Sequence, residues 1–430
     1  MNLEFLKRAD DLRRRDFLRF TALSLLGVSF AARASADPAS AAATNRASRP
    51  TAKNIIYLYM SGGMSHLDTF DTKPGTKVQG PVESIATSAD GVRISEYFPL
   101  VARQMHHVAV MRSLTSNQGA HEQGNYFMHT SYTLRGTVQH PSLGAWMLKF
   151  AGRTNATIPG SVVIGGGSNY PGSGYLEPQY DPVLLGRATD GLKYSKRFKG
   201  VTADEFTRRQ QALMAFSQSF AAANPIEPVN AYQDAYDQAV TLMRSSDLDA
   251  FSITDESKAS RDAYGDTPFG QGCLLARRLI EHDVRYVEVD LGGWDTHAQN
   301  FERVSEQAAI LDRGLSALLA ELHQRGLLEE TLVVLTTEFG RSPEITDNLG
   351  RNHHPRAFCG LLAGGGIRGG QAYGATDASG IAVADNPVTI PDFNATIAYA
   401  ARLPLDTVVH SPAGRPFTLA DKGRPVLAVM

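Results

Sequence analysis

The segment that decides the fold is Val284-Arg285-Tyr286-Val287-Glu288-Val289-Asp290-Leu291, which runs directly into Gly292-Gly293-Trp294-Asp295-Thr296-His297. The first part alternates β-branched and apolar residues with charged ones, and this pattern predicts a strand. The two glycines allow a sharp backbone turn and leave room for a ligand. This order places Asp295 and His297 at the carboxyl end of a strand, where open α/β sheets hold their binding sites.

Two further predicted strands end in the same kinds of side chain. Residues 54–60 form a near-continuous apolar run, which is typical of a buried parallel strand, and His66 and Asp68 lie in the loop that follows. Residues 331–337 form a second such run, which ends directly at Glu338. A lone histidine in a loop is more often structural, but carboxylates and imidazoles at three strand ends predict one shared site.

Helical patterns separate the predicted strands. Residues 269–282 and 301–325 have the spacing of amphipathic helices. Between residues 202 and 252, two amphipathic stretches, 203–222 and 229–243, predict a helical hairpin inserted beside the sheet. Strands that alternate with helices indicate an α/β fold with a mostly parallel central sheet.

A polar loop follows residues 108–111, a short predicted strand. Its hydroxyl, amide and imidazole groups suit a nucleophile or an anion-binding loop. We select His121 as its functional residue, acting as acid, base or ligand, with Thr115 and Ser116 as candidate hydroxyl nucleophiles. The alternative is a capped helix start with Ser116 or Asn117 as the N-cap, and the two interpretations are compatible.

The first 36 residues have the pattern of an export signal. Residues 13–19 are basic, residues 20–32 are apolar, and Ala34-Ser35-Ala36 offers small residues for cleavage. A transmembrane anchor is the weaker alternative, because a membrane span needs about 20 apolar residues. Arg14-Arg15-Asp16-Phe17-Leu18-Arg19 is similar to a twin-arginine signal. We therefore expect export by the twin-arginine machinery to the periplasm or the cell exterior, with a flexible leader over residues 37–53.

Composition and charge exclude some partners. A hydrophobic content of 43% and a charged content of 20% are ordinary for a folded globular protein. The formal net charge of −2 argues against nucleic acid and against an anionic membrane surface, since both require a basic face. Cys273 and Cys359 have the spacing of neither a zinc motif nor a disulfide framework, so we interpret them as small buried residues.

Six residues form the candidate ligand set of the site: His66, Asp68, Asp295, His297, Glu338 and His353. Mixed oxygen and nitrogen ligands are typical of catalytic zinc, with manganese or calcium as alternatives. The set is larger than one tetrahedral site needs, so it fits one or two divalent ions. Two ions in one cleft would stabilise both the attacking and the leaving oxygen of a phosphoryl-type displacement. The alternative is that these residues cap helices and form turns.

Four motifs carry a resemblance to a known family. They are residues 61–71 (SGGMSHLDTFD), 292–297 (GGWDTH), 337–341 (TEFGR) and 350–353 (GRNH). Through them the chain resembles an uncharacterised family of twin-arginine-exported bacterial proteins related to sulfatases and alkaline phosphatases. The resemblance implies that residues 54–430 form an alkaline-phosphatase-like three-layer α/β/α sandwich with divalent metals at the carboxyl ends of the strands. It also implies that water or a Ser, Thr or modified Cys attacks a phosphate or sulfate ester.

The resemblance also implies roles for single residues. Asp295 and His297 match the superfamily's Asp/His metal pair. Glu338 takes the place of the Asp-His pair after the next strand, and His353 takes the place of the last histidine ligand.

The chain departs from the family pattern in three places. Glu338 is followed by Phe339, so one expected imidazole is missing and the second metal position is incomplete. Asn352 stands where this family often has Asp. Neither cysteine lies in the Cys-x-Pro-x-Arg setting that formylglycine needs, which argues against an ordinary sulfatase mechanism.

Two functional hypotheses from different classes follow. The first is an exported metal-dependent hydrolase that acts on a phosphate or sulfate ester of a small molecule or polymer. The second is a secreted binding or assembly protein that keeps the fold with a reduced or structural metal site. The ligand residues at the strand ends favour the first hypothesis, and the incomplete second metal position favours the second. Neither hypothesis requires nucleic acid or a stable membrane anchor.

Overall fold

Strand β1 (Asn54–Tyr59) lies in the middle of the sheet because almost every residue in it is apolar and buried. The computed structural model of the protein describes residues 50–166, 169–193, 195, 197–224, 229, 236 and 239–430. The predicted signal peptide and most of the predicted leader lie outside these residues. The last residues of the predicted leader form hydrogen bonds with the domain: the N–H groups of Thr51 and Ala52 donate to the carbonyls of Gly365 and Ala400, at 3.2 and 3.1 Å.

The strands of the described residues follow β1 in chain order. They are β2 (Ser84–Ala86), β3 (Arg93–Ser95), β4 (Val108–Thr115), β5 (Ser161–Ile164), β6 (Val183–Leu185), β7 (Tyr286–Asp290), β8 (Thr331–Thr336), β9 (Gly340–Arg341), β10 (His353–His354), β11 (Phe358–Ala363), β12 (Gln371–Tyr373), β13 (Ala375–Thr376), β14 (Val383–Asp385), β15 (Val388–Thr389), β16 (Val409–His410) and β17 (Pro416–Phe417).

The described α-helices are α1 (His121–Thr130), α2 (Leu143–Ala151), α3 (Ala203–Ala223), α4 (Lys258–Tyr264), α5 (Pro268–Glu281), α6 (Asn300–Gln324) and α7 (Ile390–Ala400). Short 3-10 helices occupy Lys77–Gln79, Val101–His107, Pro178–Tyr180, Ala188–Asp190, Ser246–Phe251, Ile253–Asp255 and Leu427–Val429.

The main sheet has the strand order β12-β4-β11-β8-β1-β7-β5-β6, with β15 paired to β4. Strand β1 is parallel to both of its neighbours, β7 and β8, whereas β11 is antiparallel to β8 and to β4. The sheet is therefore mostly parallel. The carboxyl ends of β1, β7 and β8 lie side by side at one end of the sheet, and the candidate site lies there.

Helices cover both faces of the sheet. Successive side chains of β1 point to opposite faces, so each face can be followed from alternate residues. Ile56 and Leu58 face the apolar cluster formed with α5 and α6, while Ile55 and Tyr57 face the cluster formed with α2 and α7. Each side of a central parallel strand thus contacts apolar residues, which explains its continuous hydrophobic sequence. The predicted three-layer α/β architecture is confirmed.

Two local predictions can be compared with the structure. The strand predicted over residues 108–111 extends to Thr115, because Leu114 and Thr115 pair with Val388 and Thr389 of β15. The first arm of the predicted helical hairpin is α3, which begins with a capping box between Thr202 and Glu205. In the second predicted arm, 229–243, the described residues 229, 236 and 239–243 are helical, and the others lie outside the described residues. Within the described part of the chain, no helix is both long and apolar enough to cross a bilayer.

A matched pair of leucines tests this core. Leu58 of β1 is 0% exposed, whereas Leu184 of the edge strand β6 is 54% exposed. We expect Leu58→Ala to lower the free energy of unfolding by about 2–5 kcal/mol, since it leaves a cavity between the layers. Leu184→Ala should change it by less than about 0.5 kcal/mol. Urea unfolding measures both values, and equal losses would contradict the central position of β1.

Candidate functional site

Loops at the carboxyl ends of three parallel strands bring the site residues together. Asp295 and His297 follow β7, and Glu338 follows β8. His121 is the first residue of α1, which follows β4. His353 belongs to β10, whose pairing with β9 folds the chain back toward the sheet.

The ligand atoms converge on the carboxylate of Asp295. One ligand atom each from His121, Asp295 and His353 lies within 4.8 Å of the others. Asp295 Oδ2 is 3.4 Å from His121 Nε2, and Asp295 Oδ1 is 3.3 Å from His353 Nε2. His297 adjoins the group, with its Nε2 3.1 Å from Asp295 Oδ1 and 3.0 Å from His353 Nε2. Three imidazoles and one carboxylate therefore surround a small space.

The Nδ1 atom of each of these imidazoles faces an oxygen. His121 Nδ1 is 2.8 Å from Glu338 Oε1, and His353 Nδ1 is 2.8 Å from the carbonyl oxygen of Gly119. His297 Nδ1 is 3.3 Å from Asn352 Oδ1.

These oxygens can only accept hydrogen bonds, so each Nδ1 carries a proton. The lone pair of a neutral ring is then on Nε2, which is the atom that faces Asp295. Metal-binding histidines typically donate the N–H of the nitrogen that does not bind the metal to an oxygen acceptor, as Nδ1 does here.

Arg341 holds Asp295 in place. Its Nη2 donates to Asp295 Oδ1 at 2.5 Å and also to the carbonyl of Gly62, and its Nε donates to the carbonyl of Gly63 at 2.8 Å. Its Nη1 donates to the carbonyl of Arg351 at 3.1 Å. The quoted motif contained Arg341, but sequence reasoning assigned it no role. The sequence feature that could have indicated this role is a lone arginine three residues after Glu338, at the end of a strand.

The protonation states suit a cation site. Burial acts to raise the pKa of Asp295, but the hydrogen bond and the charge of Arg341 outweigh it and lower that pKa to about 2. Burial lowers the pKa of His353, which keeps its Nε2 unprotonated. The hydrogen bond to Glu338 raises the pKa of His121, so without a bound cation this ring takes up a proton more readily than an ordinary histidine.

Glu338 contacts His121 and not Asp295, so the ligand role expected for it stays a prediction. Its Oε1 accepts hydrogen bonds from the N–H of Gly62 at 2.8 Å and from His121 Nδ1. Its Oε2 accepts from the hydroxyl of Tyr59 at 3.2 Å. Three donors therefore hold this buried carboxylate, and it orients His121.

His66 and Asp68 have other partners, so the structure does not join them to the cluster. Asp68 Oδ2 is 2.8 Å from Arg351 Nε and its Oδ1 is 2.9 Å from Arg351 Nη2, in a pair that is 0% exposed on both sides. Asn300 Nδ2 also donates to Asp68, at 2.8 Å. His66 Nε2 donates to the carbonyl of Gly380 at 2.9 Å, and burial lowers the pKa of His66 to about 4. Asp68 thus neutralises a buried arginine.

The two hydroxyl candidates lie at the end of β4 and in the turn before α1. Thr115 ends β4, opposite Thr389 of β15. Ser116 Oγ accepts a hydrogen bond from the N–H of Gln118 at 3.1 Å, so it stabilises the turn before α1. The hydrogen bonds of the described residues place neither hydroxyl against Asp295 or His121. The N-cap residue of α1 is Ala120, so the alternative with Ser116 or Asn117 as the N-cap is wrong. The nucleophile role of Thr115 and Ser116 stays a prediction.

Replacing Asp68 distinguishes an ion-pair role from a ligand role. Asp68→Asn leaves the Arg351 charge buried without a partner, so we expect a loss of about 3–5 kcal/mol in the free energy of unfolding. The metal content per folded chain should not change. Glu330→Gln is the matched control, because it breaks the exposed pair with Lys53 and should cost less than about 1 kcal/mol. Loss of metal at unchanged stability would make Asp68 a ligand.

Replacing Glu338 tests its orienting role. Because Glu338→Gln removes the charge that holds His121 Nδ1–H, we expect zinc affinity to fall by about 10–100-fold while saturating zinc still fills the site. Titration against a competing chelator measures this change, and the exposed Glu344→Gln serves as the control. A site that saturating zinc no longer fills would show that Glu338 is a ligand.

Solved structures with similar chain traces include a lipoteichoic acid synthase, a sulfatase and an alkaline phosphatase. The lipoteichoic acid synthase LtaP from Listeria monocytogenes is 8% identical with a TM-score of 0.39, and the match covers 84% of this chain and 75% of that one. The PsFucS1 sulfatase from Pseudoalteromonas sp. is 13% identical with a TM-score of 0.39, over 87% and 73% of the two chains. The alkaline phosphatase from the Antarctic bacterium TAB5 is 12% identical with a TM-score of 0.36, over 83% and 99%.

Sequence comparisons place the chain in a family. No curated protein matches it. The family described as "Protein of unknown function (DUF1501)" matches residues 52–430. This range contains all four motifs quoted above and nearly all of the described residues. The chain belongs to the DUF1501 family.

Proposed function

We propose that this protein is an exported, metal-dependent hydrolase of phosphate or sulfate esters. The observation that carries the proposal is the convergence of three Nε2 atoms, from His121, His297 and His353, on the carboxylate of Asp295. Ring nitrogens with lone pairs that face one another and a carboxylate are favourable only when a proton or a cation lies between them, and a divalent cation can satisfy all of them at once.

The residues fit one divalent ion. Three imidazole nitrogens and one carboxylate oxygen match the ligands that zinc prefers in proteins. Within the described residues, His121, Asp295 and His353 are the single group of three such side chains whose ligand atoms all lie within 4.8 Å of one another. Because Glu338 accepts hydrogen bonds from Gly62, His121 and Tyr59, the residues support one ion more strongly than two.

The surroundings of the cluster suit an anionic ester. An ion bound there supplies a Lewis acid for the ester oxygen and lowers the pKa of a water molecule. Arg303 adds positive charge beside the site, with its Nη1 donating to the carbonyl of Asp295 at 3.1 Å. Gly292 and Gly293, which precede the ligand loop, are exposed. The His121–Glu338 pair can hold a proton within reach of the cluster.

A binding or assembly protein with a structural metal is the second candidate. It is favoured by the single ligand cluster among the described residues and by the engagement of Glu338 with three donors. A structural site holds its ion without turnover, so catalysis separates the two candidates. Either form would reach the periplasm or the cell exterior through the twin-arginine machinery, which the arginine pair near the N-terminus supports.

Metal content and ester hydrolysis, measured together, test the proposal. We expect folded protein purified without chelators to hold about one zinc ion per chain. Asp295→Ala and His353→Ala should remove the ion and lower kcat/KM on phosphate or sulfate monoesters by roughly 1,000-fold or more, because the Lewis acid is lost. The exposed His410→Ala is the matched histidine control and should keep both properties.

The other outcomes are also decisive. An ion retained by the wild type without hydrolysis across phosphate and sulfate monoesters and diesters would favour the binding protein. Absence of metal from the wild type, even after zinc is added, would overturn the proposal.

A further inference from the structure

A cavity of about 490 Å³ is formed by α1, by the loop between α1 and α2, and by the loop after β5. Its volume falls within the range of small-molecule sites in proteins. The polar and aromatic side chains that line it include Glu122, Tyr126, Arg135, Gln139, Asn169 and Tyr170. None of these residues belongs to the ligand cluster, so the cavity is a separate feature of the molecule.

The cavity begins next to the ligand cluster. Glu122 directly follows His121 in α1, so the Cα atoms of these two residues are about 3.8 Å apart. His121 Nε2 is in turn 3.4 Å from Asp295 Oδ2, and the two side chains are 40% and 46% exposed. Glu122 is exposed as well. The cluster and the start of the cavity are therefore adjacent, and both open to solvent.

The sheet brings the opposite wall of the cavity to the same place. Strand β5 is parallel to its neighbour β7, so the loops that follow these two strands lie at the same end of the sheet. Asn125 of α1 donates from its Nδ2 to the carbonyl of Asn169 at 3.3 Å, and Gln139 Nε2 donates to the carbonyl of Pro171 at 3.2 Å. These hydrogen bonds join the three segments around the cavity.

The cavity offers one negative and one positive side chain to a ligand. Glu122 and Arg135 are both exposed, and neither side chain forms a hydrogen bond or an ion pair with another described residue. A carboxylate only accepts hydrogen bonds and a guanidinium only donates them, whereas a hydroxyl does both. Because the two charges cancel, a neutral group that carries several hydroxyls satisfies both side chains.

Two fixed tyrosine rings add a surface for C–H groups. The Tyr126 hydroxyl is 2.8 Å from His140 Nδ1, so a protein partner already occupies it and the ring is held in place. Tyr170 is half-buried, and its ring makes a T-shaped contact with His129 at 5.3 Å between centroids. Fixed rings beside hydrogen-bonding groups suit a sugar, which has apolar C–H faces and hydroxyls at its edge.

We propose that this cavity is the subsite for the alcohol part of the ester, and that this alcohol is a sugar or a similar neutral polyol. The inference rests on the proposed hydrolase function and names its substrate class. The phosphate or sulfate group lies at the cluster, and the sugar lies between α1 and the loop after β5. Glu122 accepts hydrogen bonds from the sugar hydroxyls, and Arg135 donates to them. An apolar alcohol displaces water from these two side chains without replacing its hydrogen bonds, so its ester is a poorer substrate.

A matched pair of esters tests this assignment. Glucose 6-phosphate and propyl phosphate both release a primary alcohol, so they differ mainly in the group that would enter the cavity. We expect the wild type to cleave glucose 6-phosphate with a kcat/KM about 10–100-fold higher, since hydrogen bonds to charged groups are among the stronger ones. Arg135→Ala should lower kcat/KM by about 10-fold or more for glucose 6-phosphate and by less than about threefold for propyl phosphate. Zinc content and thermal unfolding verify that the variant is folded and loaded.

A second arginine serves as the control. Arg103 is exposed and precedes β4, which is parallel to β8 because both are antiparallel to β11. Arg103 therefore lies at the opposite end of the sheet from the site, and Arg103→Ala should match the wild type on both esters.

Analogues that cannot be cleaved separate this inference from the proposed function. The phosphonates of the two esters carry a methylene group in place of the ester oxygen, and calorimetry measures their Kd. Tighter binding of the sugar phosphonate that is lost in Arg135→Ala, together with cleavage of neither ester, would overturn the hydrolase function and leave the sugar-binding cavity intact. Equal values for the two alcohols in both measurements, or equal effects of Arg135→Ala on them, would overturn the subsite. A wild type that prefers phosphoethanolamine to glucose 6-phosphate would overturn the sugar assignment, because that alcohol is cationic.

Discussion

A buried guanidinium holds the site together. Arg341 is 0% exposed, and it donates to the carbonyls of Gly62, Gly63 and Arg351 and to the carboxylate of Asp295. These acceptors come from loops after β1, after β7 and before β10. An arginine has five N–H donors in a fixed plane, so one side chain sets the spacing of three loops at once. The ligand geometry depends on this constraint.

Other buried polar groups around Arg341 hold neighbouring parts of the site in place. Arg351, also buried, pairs with Asp68 and donates its own N–H to the carbonyl of Thr296, so it fixes the ligand loop from behind. Glu338 orients His121 through the hydrogen bond between its Oε1 and His121 Nδ1. An unpaired buried charge is costly, so each of these groups must be matched before the cluster can form. The polar interior under the site therefore stabilises geometry more than it adds net free energy of folding.

Strand identity was the part of the fold that sequence reasoning predicted well. The central strands are apolar on both faces and are bounded by glycines or by a carboxylate, so their patterns have few other interpretations. The extension of β4 to Thr115 could not be predicted, because it depends on pairing with β15, more than 270 residues later in the chain. The same limit applies to Ser116, whose turn hydrogen bond has no distinct sequence pattern.

The site shows the same division. Sequence alone determined which residues are ligand types and which strand ends carry them, because parallel strands deliver their carboxyl ends to a single edge. It selected His121, Asp295, His297 and His353, which the structure brings together, as well as His66, Asp68 and Glu338. Only the tertiary structure decided among these carboxylates and imidazoles. Asp68 neutralises Arg351, Glu338 orients His121, and Asp295 faces three Nε2 atoms. The physical reason is that a carboxylate's role is set by the partners that reach it through space, and those partners lie up to 283 residues away in the chain.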